Sequence, residues 1–432
     1  MPEAPLKNVF CSRNYRLVFF GALVSDLGSL LFSFAVSFYI LEITDNNAFL
    51  QGLYLAVCGV VTLLAMPIGG VLGDRFNKAK IMFVCDYLKG GLILLTMVLM
   101  LLFPSAKAHL ALLFLQGVLG HIVGGLFTPA AGALLPSIVS EEQLQQANAY
   151  FSVKSSLQNI LGVVLAGVLY AALPIQTLFL LVGLCYVASG VSEMFIRYDH
   201  RPSAEKLTVK LALRDMKDGL VYLRGQKAIL ALMVAILFIN FFFTPFGSNF
   251  IPYFVKTDVA QAPGYLLDRL LTPELWSSVF SMLIGLSSLV GAALLSARPP
   301  KEKCGHDTAL KLCWIAATML VLTLGYWLLV DRSLSLNAFL LLISLGCLLI
   351  GFLVALINIP VNTAFMRLVE QDKLSKVTSL VSIISMGLTP IASVLAGAML
   401  QYLGSTPLLL VSSLGFTATA LFLLFNKRAR GI

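Results

Sequence analysis

"GGVLGDRFNKAK", residues 69–80, places four charged side chains, Asp74, Arg75, Lys78 and Lys80, within eight positions. Apolar runs of more than twenty residues flank it on both sides. A helix needs about 20 apolar residues to cross a bilayer. The stretch therefore reads as a short polar turn between two spanning helices. Gly69, Gly70 and Gly73 permit close helix approach. Asn77 tolerates a left-handed turn conformation. Asp74 ends a helix, where a carboxylate suits a neighbouring helix N-terminus or an arginine. Such a turn can latch two halves of a molecule in one state and release them in another. Gly70, Asp74, Arg75 and Lys78 are the candidate latch residues.

Outward from that turn the same alternation continues. The chain has 432 residues, 59% hydrophobic and 12% charged, about half the charged fraction of a soluble protein. Twelve spans are expected, at 17–42, 50–73, 81–103, 108–136, 147–172, 177–196, 228–255, 276–297, 308–330, 336–366, 377–403 and 407–425. The apolar runs are continuous and too long for barrel strands, so the fold class is an all-α membrane protein.

The net charge of +9 is not a nucleic-acid footprint. With the N-terminus inside, the inner segments hold 24 of the 30 Lys and Arg residues and the outer loops hold 4. That asymmetry is the positive-inside rule, and it puts both termini in the cytoplasm of a multi-pass inner (plasma) membrane protein. No cleavage site follows the first apolar run, so no removable signal peptide is expected. The seven cysteines are scattered and read as structural; no metal or other cofactor is implied. No nucleophile–base set or phosphate loop appears, which argues against an enzyme. No filter or charge ring appears, which argues against a channel.

The longest inner loop, 197–227, divides the spans six and six. Leu211, Leu213, Met216, Leu220 and Leu223 can line one side of a basic amphipathic helix within it. The expected domains are a six-helix bundle over 1–196, that central loop, and a second six-helix bundle over 228–432. Internal repetition supports the division. "VLAGVL" at 164–169 matches "VLAGAM" at 394–399, and "PAAGALLPSIV" at 129–139 aligns with "PVNTAFMRLVE" at 360–370. Parallel six-helix repeats are a transporter architecture with substrate bound between the halves.

The opening stretch resembles the signature of the major facilitator superfamily, G-x-L-x-D-R-x-G-R-K, with Asn77 at the second glycine. "VSDLGS" (24–29), "FTPAAGALLPSIVSEEQLQQANA" (127–149), "RDMKDGLVYLRG" (214–225) and "LSKV" (374–377) are similar to the macrolide-efflux and enterobactin-exporter-like branch. The resemblance implies a proton-driven exporter of amphipathic small molecules, with the proton as coupling ion. Three features depart from it. Leu113 stands at the arginine position of many proton-drug antiporters, and Val163 replaces the proline of their span-5 signature. The second-half counterpart of the turn, "GAALLSARPPKEK" (291–303), has no aspartate.

Ionised residues inside a membrane cost about 2.5–3.5 kcal/mol each on insertion scales, so each needs a reason. Asp26 in span 1 can carry a proton or hold a cationic substrate; otherwise it is a neutral acid bonded to a helix neighbour. His121 either joins a proton path with Asp26 or donates to a backbone carbonyl. Asp86 and Lys89, spaced i, i+3, can pair and belong with the latch. Lys154 and Glu193 read as inner-end residues, the lysine able to snorkel. Gln116, Asn240, Asn358 and Asn362 complete the candidate pathway, and prolines near them are expected to interrupt spans 7 and 10. Phe241, Phe242 and Phe243 face either lipid or ligand. The expected function is secondary active export by a monomer working in a lipid bilayer. The alternative is an importer or uniporter of a small metabolite, not proton-coupled.

Overall fold

The computed structural model describes residues 8–197, 227–262, 264–296, 305–368 and 386–426. In chain order the helices are α1 (Arg13–Ile43), α2 (Ala48–Arg75), α3 (Lys78–Leu102), α4 (Ala106–Ile138), α5 (Glu141–Leu157), α6 (Val163–Ala172) and α7 (Ile175–Met194). They continue as α8 (Lys227–Thr244), α9 (Ile251–Phe254), α10 (Pro273–Ser296), α11 (Gly305–Val330), α12 (Leu336–Leu368), α13 (Thr389–Tyr402) and α14 (Ser405–Phe425). No strand occurs among the described residues. Eleven described helical stretches are long and apolar enough to cross a membrane. The expected span at 377–403 is described only from residue 386. The central-loop helix, the basic turn at 298–304 and the "LSKV" loop lie outside the described residues.

Two of the helices begin where a polar side chain caps them. Asn77 is not left-handed, contrary to the expectation from the turn. At φ −60° and ψ 113° it is the N-cap of α3, accepting from the Lys80 amide. An asparagine side chain satisfies an orphan amide at a helix start, so it caps the following helix. Ser105 does the same for α4 through the Ala108 amide.

Among the described residues three π-helical turns widen the spans: Gln158–Gly162 between α5 and α6, Pro245–Phe250 between α8 and α9, and Val255–Val259 after α9. Span 7 is thus widened where an interruption was expected. Pro360 likewise lies inside a continuous α12. Its ring removes the amide that would bond the carbonyl four residues back, at Leu356. The Lys311 ammonium donates to that carbonyl at 3.1 Å and to Asp307 at 2.6 Å. An imported donor therefore replaces the missing one, and the helix does not break.

The described residues form two compact units. The first holds those up to Tyr39 and those from Val57 to 197; the second holds Ile40–Ala56 and those from 227 on. In the first unit α3 packs along α4 and α7. A Cβ on Gly69 would lie 2.7 Å from Leu126 Cα and closer still to the Gly125 carbonyl, so α2 and α4 touch backbone to backbone there. Gly70, the adjacent latch candidate, meets nothing within 4 Å. Near the C-terminal end of α1 Tyr39 donates to His109 Nδ1 at 2.6 Å, and His109 Nε2 donates to the Met100 carbonyl at 3.0 Å. Those two bonds fix the tautomer and make His109 a structural tie.

In the second unit α10 packs along α12, and α11 along α12 and α14. The hairpin tip around Ala48 belongs to this unit: its amide donates to Gln401 Oε1 at 3.0 Å, and Lys256 pairs with Glu42 at 3.5 Å and Glu274 at 3.1 Å. A ladder of rings, Phe246, Phe250 and Phe254, stacks at 5.9 and 5.6 Å along the span-7 helix.

Candidate functional site

The first unit contains a group of charges drawn from helices far apart in sequence. Asp26 on α1 pairs with Lys154 on α5 at 2.7 Å. The lysine is 4% exposed and the aspartate 50%. Lys154 is therefore turned inward against the Asp26 carboxylate; it does not snorkel, because an acid lies within reach inside the bundle. Its ammonium also lies 4.8 Å from the Phe151 ring centre. The π turn at Gln158 begins one turn further on, and Gln158 Nε2 donates to the Leu23 carbonyl at 3.0 Å. Widened turns of this kind expose backbone groups and recur at functional positions.

Two further acids lie nearby. Asp86 on α3 is 1% exposed and Glu193 on α7 is 0% exposed. None of their four carboxyl oxygens has a hydrogen-bond partner among the described residues. The Ser189 hydroxyl stands beside Asp86 without hydrogen-bond geometry. Gly21 on α1 makes the room: a Cβ there would lie 3.4 Å from Glu193 Cγ and from Ser189 Oγ. Lys89 does not pair with Asp86 within 4 Å. Its ammonium lies over the rings of Phe127 at 5.4 Å and Tyr186 at 5.3 Å, a cation–π arrangement that an i, i+3 count cannot foresee. Tyr186 in turn bonds Ser29 on α1 at 2.7 Å. Sequence reasoning named Lys154 and Glu193 but read them as inner-end residues outside the candidate site. The available signal was arithmetic: four acids, Asp26, Glu42, Asp86 and Glu193, and two lysines within the membrane segments of one half.

The remaining candidates of the first unit are spread over α4 and the turn between α2 and α3. His121 Nδ1 bonds Thr62 Oγ1 at 2.9 Å, and that hydroxyl donates to the Cys58 carbonyl at 2.9 Å. A hydroxyl has one proton, so the histidine is the donor and carries its proton on Nδ1. Gln116 is 5% exposed, with Oε1 unpartnered among the described residues. Leu113, at the arginine position of the resemblance, is wholly buried. Lys78 is the first residue of α3, while the side chains of Asp74 and Arg75 lie outside the described set.

The second unit encloses a cavity of about 260 Å³ between α8, α11, α12 and α14. Asn240, Thr308 and Asn358 are its polar lining residues; Phe243, Val361 and Phe416 are among the apolar ones. Phe243 thus faces the cavity, whereas the Phe242 ring fills the space a side chain at Gly415 would need. Asn362 lies one turn beyond Asn358 on α12, its side chain outside the described set. The volume is below the roughly 300 Å³ at which drug-sized sites begin, so the cavity admits a fragment or one end of a longer molecule. A separate acid stands at the C-terminal end of that span: Asp258 accepts from Thr257 at 2.8 Å and Tyr326 at 3.3 Å. Sequence reasoning had placed position 258 beyond the span, because its boundary fell at Val255.

Comparison with known proteins gives a consistent picture. An MFS-type transporter of Bacillus subtilis, YkuC, is 24% identical over 329 residues, covering 74% of this chain and 72% of that protein. Macrolide efflux protein A of Streptococcus pyogenes is 25% identical over 276 residues, covering 60% of this chain and 66% of that protein. A bacterial homologue of the iron transporter ferroportin, solved in an inward-facing state, shares the fold at a TM-score of 0.68 and 18% identity over 94% of this chain and 98% of that one. A peptide transporter of the POT family does so at a TM-score of 0.75 and 14% identity, over 99% and 97%. The family model described as Major Facilitator Superfamily matches residues 18–391. With that match, and with its apolar helices in two units, the chain belongs to the Major Facilitator Superfamily and is a multi-pass membrane transporter.

Proposed function

We propose that the chain exports amphipathic small molecules in exchange for protons, by alternating access between its two units, from a bacterial inner membrane with both termini in the cytoplasm. The observation that carries this reading is the Asp26–Lys154 pair, one member buried and the other half exposed. A proton arriving at Asp26 would cancel the partner charge of a buried lysine. An uncompensated buried cation is strongly unfavourable, so the two protonation states of Asp26 favour two arrangements of α1 and α5. That is the element a coupled transporter needs. Similarity to macrolide efflux protein A supports the outward direction. Asn240 and Asn358 in the second-unit cavity supply neutral polar contacts for one end of a substrate. Gly70, Asp74, Arg75 and Lys78 are proposed to latch the cytoplasmic side. One proton suffices: about 2.3 kcal/mol per 100 mV and about 1.4 kcal/mol per pH unit together sustain a gradient of roughly 500-fold.

A second reading, an uncoupled importer or uniporter, is favoured by the buried Leu113 and by Val163 in place of the antiporter motif residues. Efflux of fluorescent cationic and neutral amphiphiles from loaded cells separates the two. Protonophore-sensitive efflux that Asp26→Asn abolishes is the expected result. Flux that ignores both the protonophore and the substitution would select the second reading.

A further inference from the structure

Two lysines stand inside the spans of the first unit, and only one has a counter-ion. Lys154 pairs with Asp26 at 2.7 Å. Lys89 stands at the middle of α3, and no hydrogen bond or ion pair to its ammonium occurs among the described residues. Its Nζ lies 5.4 Å from the Phe127 ring centre on α4 and 5.3 Å from that of Tyr186 on α7. Tyr186 is itself held, its hydroxyl 2.7 Å from Ser29 Oγ on α1. The rings fix the ammonium in place, because a cation is drawn to the face of a π system. They carry no net charge, so the cation keeps its full charge at mid-span. A charged group held there without a counter-ion is costly, and such groups mark the paths of ligands and ions. The ammonium is also within reach of a ligand. Lys89 is partly exposed. A Cβ on Gly124 of α4 would lie 3.5 Å from its Nζ and 3.6 Å from its Cε, and these are the only atoms beyond that stretch of α4 within 4 Å. The α4 side of the ammonium is therefore open. His121 and Thr128, one turn to either side of Gly124, are exposed and not acidic. The neighbouring acids are shut away: Asp86, one turn earlier on α3, is 1% exposed and Glu193 on α7 is 0% exposed, and neither comes within 4 Å of the ammonium.

We propose that Lys89 is the receptor for a carboxylate group on the transported molecule, reached through the space that Gly124 leaves open, with the rings of Phe127 and Tyr186 beside its apolar portion. A neutral acceptor would leave the ammonium uncompensated, whereas a carboxylate supplies the counter-charge that the fold withholds. A lysine is a compact point charge with three donors, so it takes one carboxylate without the planar, two-pronged geometry that an arginine selects. The substrate class is thus an amphipathic carboxylate, with its anionic head at mid-span and an apolar body. The assignment moves Lys89 from the latch to the binding surface. That the bound molecule is exported cargo rests on the export reading above; that an anion binds rests on the placement of Lys89.

The test uses the purified full chain in detergent, with dansylated undecanoic acid and its primary amide as probes at neutral pH. Dansyl fluorescence reads the affinity for each. The wild type is expected to bind the acid about 10- to 100-fold more tightly than the amide, the worth of one hydrogen bond to a charged group. Lys89→Gln is expected to remove that difference, and Lys89→Arg to keep most of it. Gly124→Leu fills the space beside the ammonium and is expected to reduce the preference as well, which keeps the test open if Lys89→Gln does not fold. Equal affinities in the wild type overturn the inference whatever the variants do. A preference for the acid that survives in Lys89→Gln overturns it too, because the charge is then read elsewhere and the lysine is structural. A Lys89-dependent preference together with protonophore-insensitive flux would sink the exchange reading and leave the carboxylate site standing. Protonophore-sensitive efflux with equal affinities for acid and amide would do the reverse.

Discussion

At the scale of single residues the Asp26–Lys154 pair is asymmetric, and the asymmetry is measurable. Removing Asp26 leaves a cation that is 4% exposed without its partner, whereas removing Lys154 leaves a carboxylate that is 50% exposed and can be hydrated. Asp26→Asn is therefore expected to lower stability by about 2–4 kcal/mol, and Lys154→Met by about 1 kcal/mol or less. The double variant should recover most of the loss. Thermal unfolding in detergent reads all three, and equal losses in the two single variants would contradict the account. Asp26 was legible from sequence because an acid in an apolar run stands out. Lys154 was not, since its partner is 128 positions away in the chain. Glu193 was hidden for a different reason: one residue from the end of α7 it reads as interfacial, and only packing against α1 and α3 buries it.

At the scale of the element, two adjacent glycines of the opening turn make a controlled comparison. Gly69→Leu forces a side chain into the α4 backbone, and overpacking of that kind costs about 1–3 kcal/mol. Gly70→Leu meets open space and should stay within about 0.5 kcal/mol of wild type. Stability measured side by side decides it, and efflux by a stable Gly70→Leu would separately test the latch assignment. The sequence pattern named the glycines as a group; which of them touches α4 depends on helix rotation, which packing sets.

The α12 helix offers a second test. Lys311→Met takes the donor from the Leu356 carbonyl and is expected to cost about 1–3 kcal/mol. Pro360→Ala supplies the backbone amide that proline lacks, so in that background Lys311→Met should cost much less. A double-mutant cycle without coupling would rule out the replacement-donor account. Here sequence reasoning expected an interruption at Pro360 because proline removes a bond. It could not see that a lysine 49 positions earlier supplies one.

At the scale of the whole molecule the expected behaviour is flux that depends on the proton gradient. Dissipating the gradient should abolish efflux in the wild type. In Asp26→Asn little efflux should remain to abolish. The second-unit cavity adds a size prediction: with about 260 Å³ of room, enlarging Asn358 to Phe should weaken transport of bulky amphiphiles more than that of small ones. Competition between a large and a small fluorescent substrate in the two proteins would reveal it, and equal losses for both would remove the cavity from the substrate path.

Sequence alone determined the fold class, the positions of nearly all the spans and the family. The reason is physical: a bilayer imposes about 20 apolar residues per crossing and sorts basic residues to one side, so local composition carries the information. The tertiary structure alone decided which of the charged side chains meet. It joined Asp26 to Lys154 and buried Glu193 against α1. It also set Lys89 over aromatic rings and moved Asn77 from a left-handed turn to a helix cap. Those outcomes depend on which faces of distant helices meet, and helix rotation and close approach are settled by packing between segments that the linear pattern leaves independent.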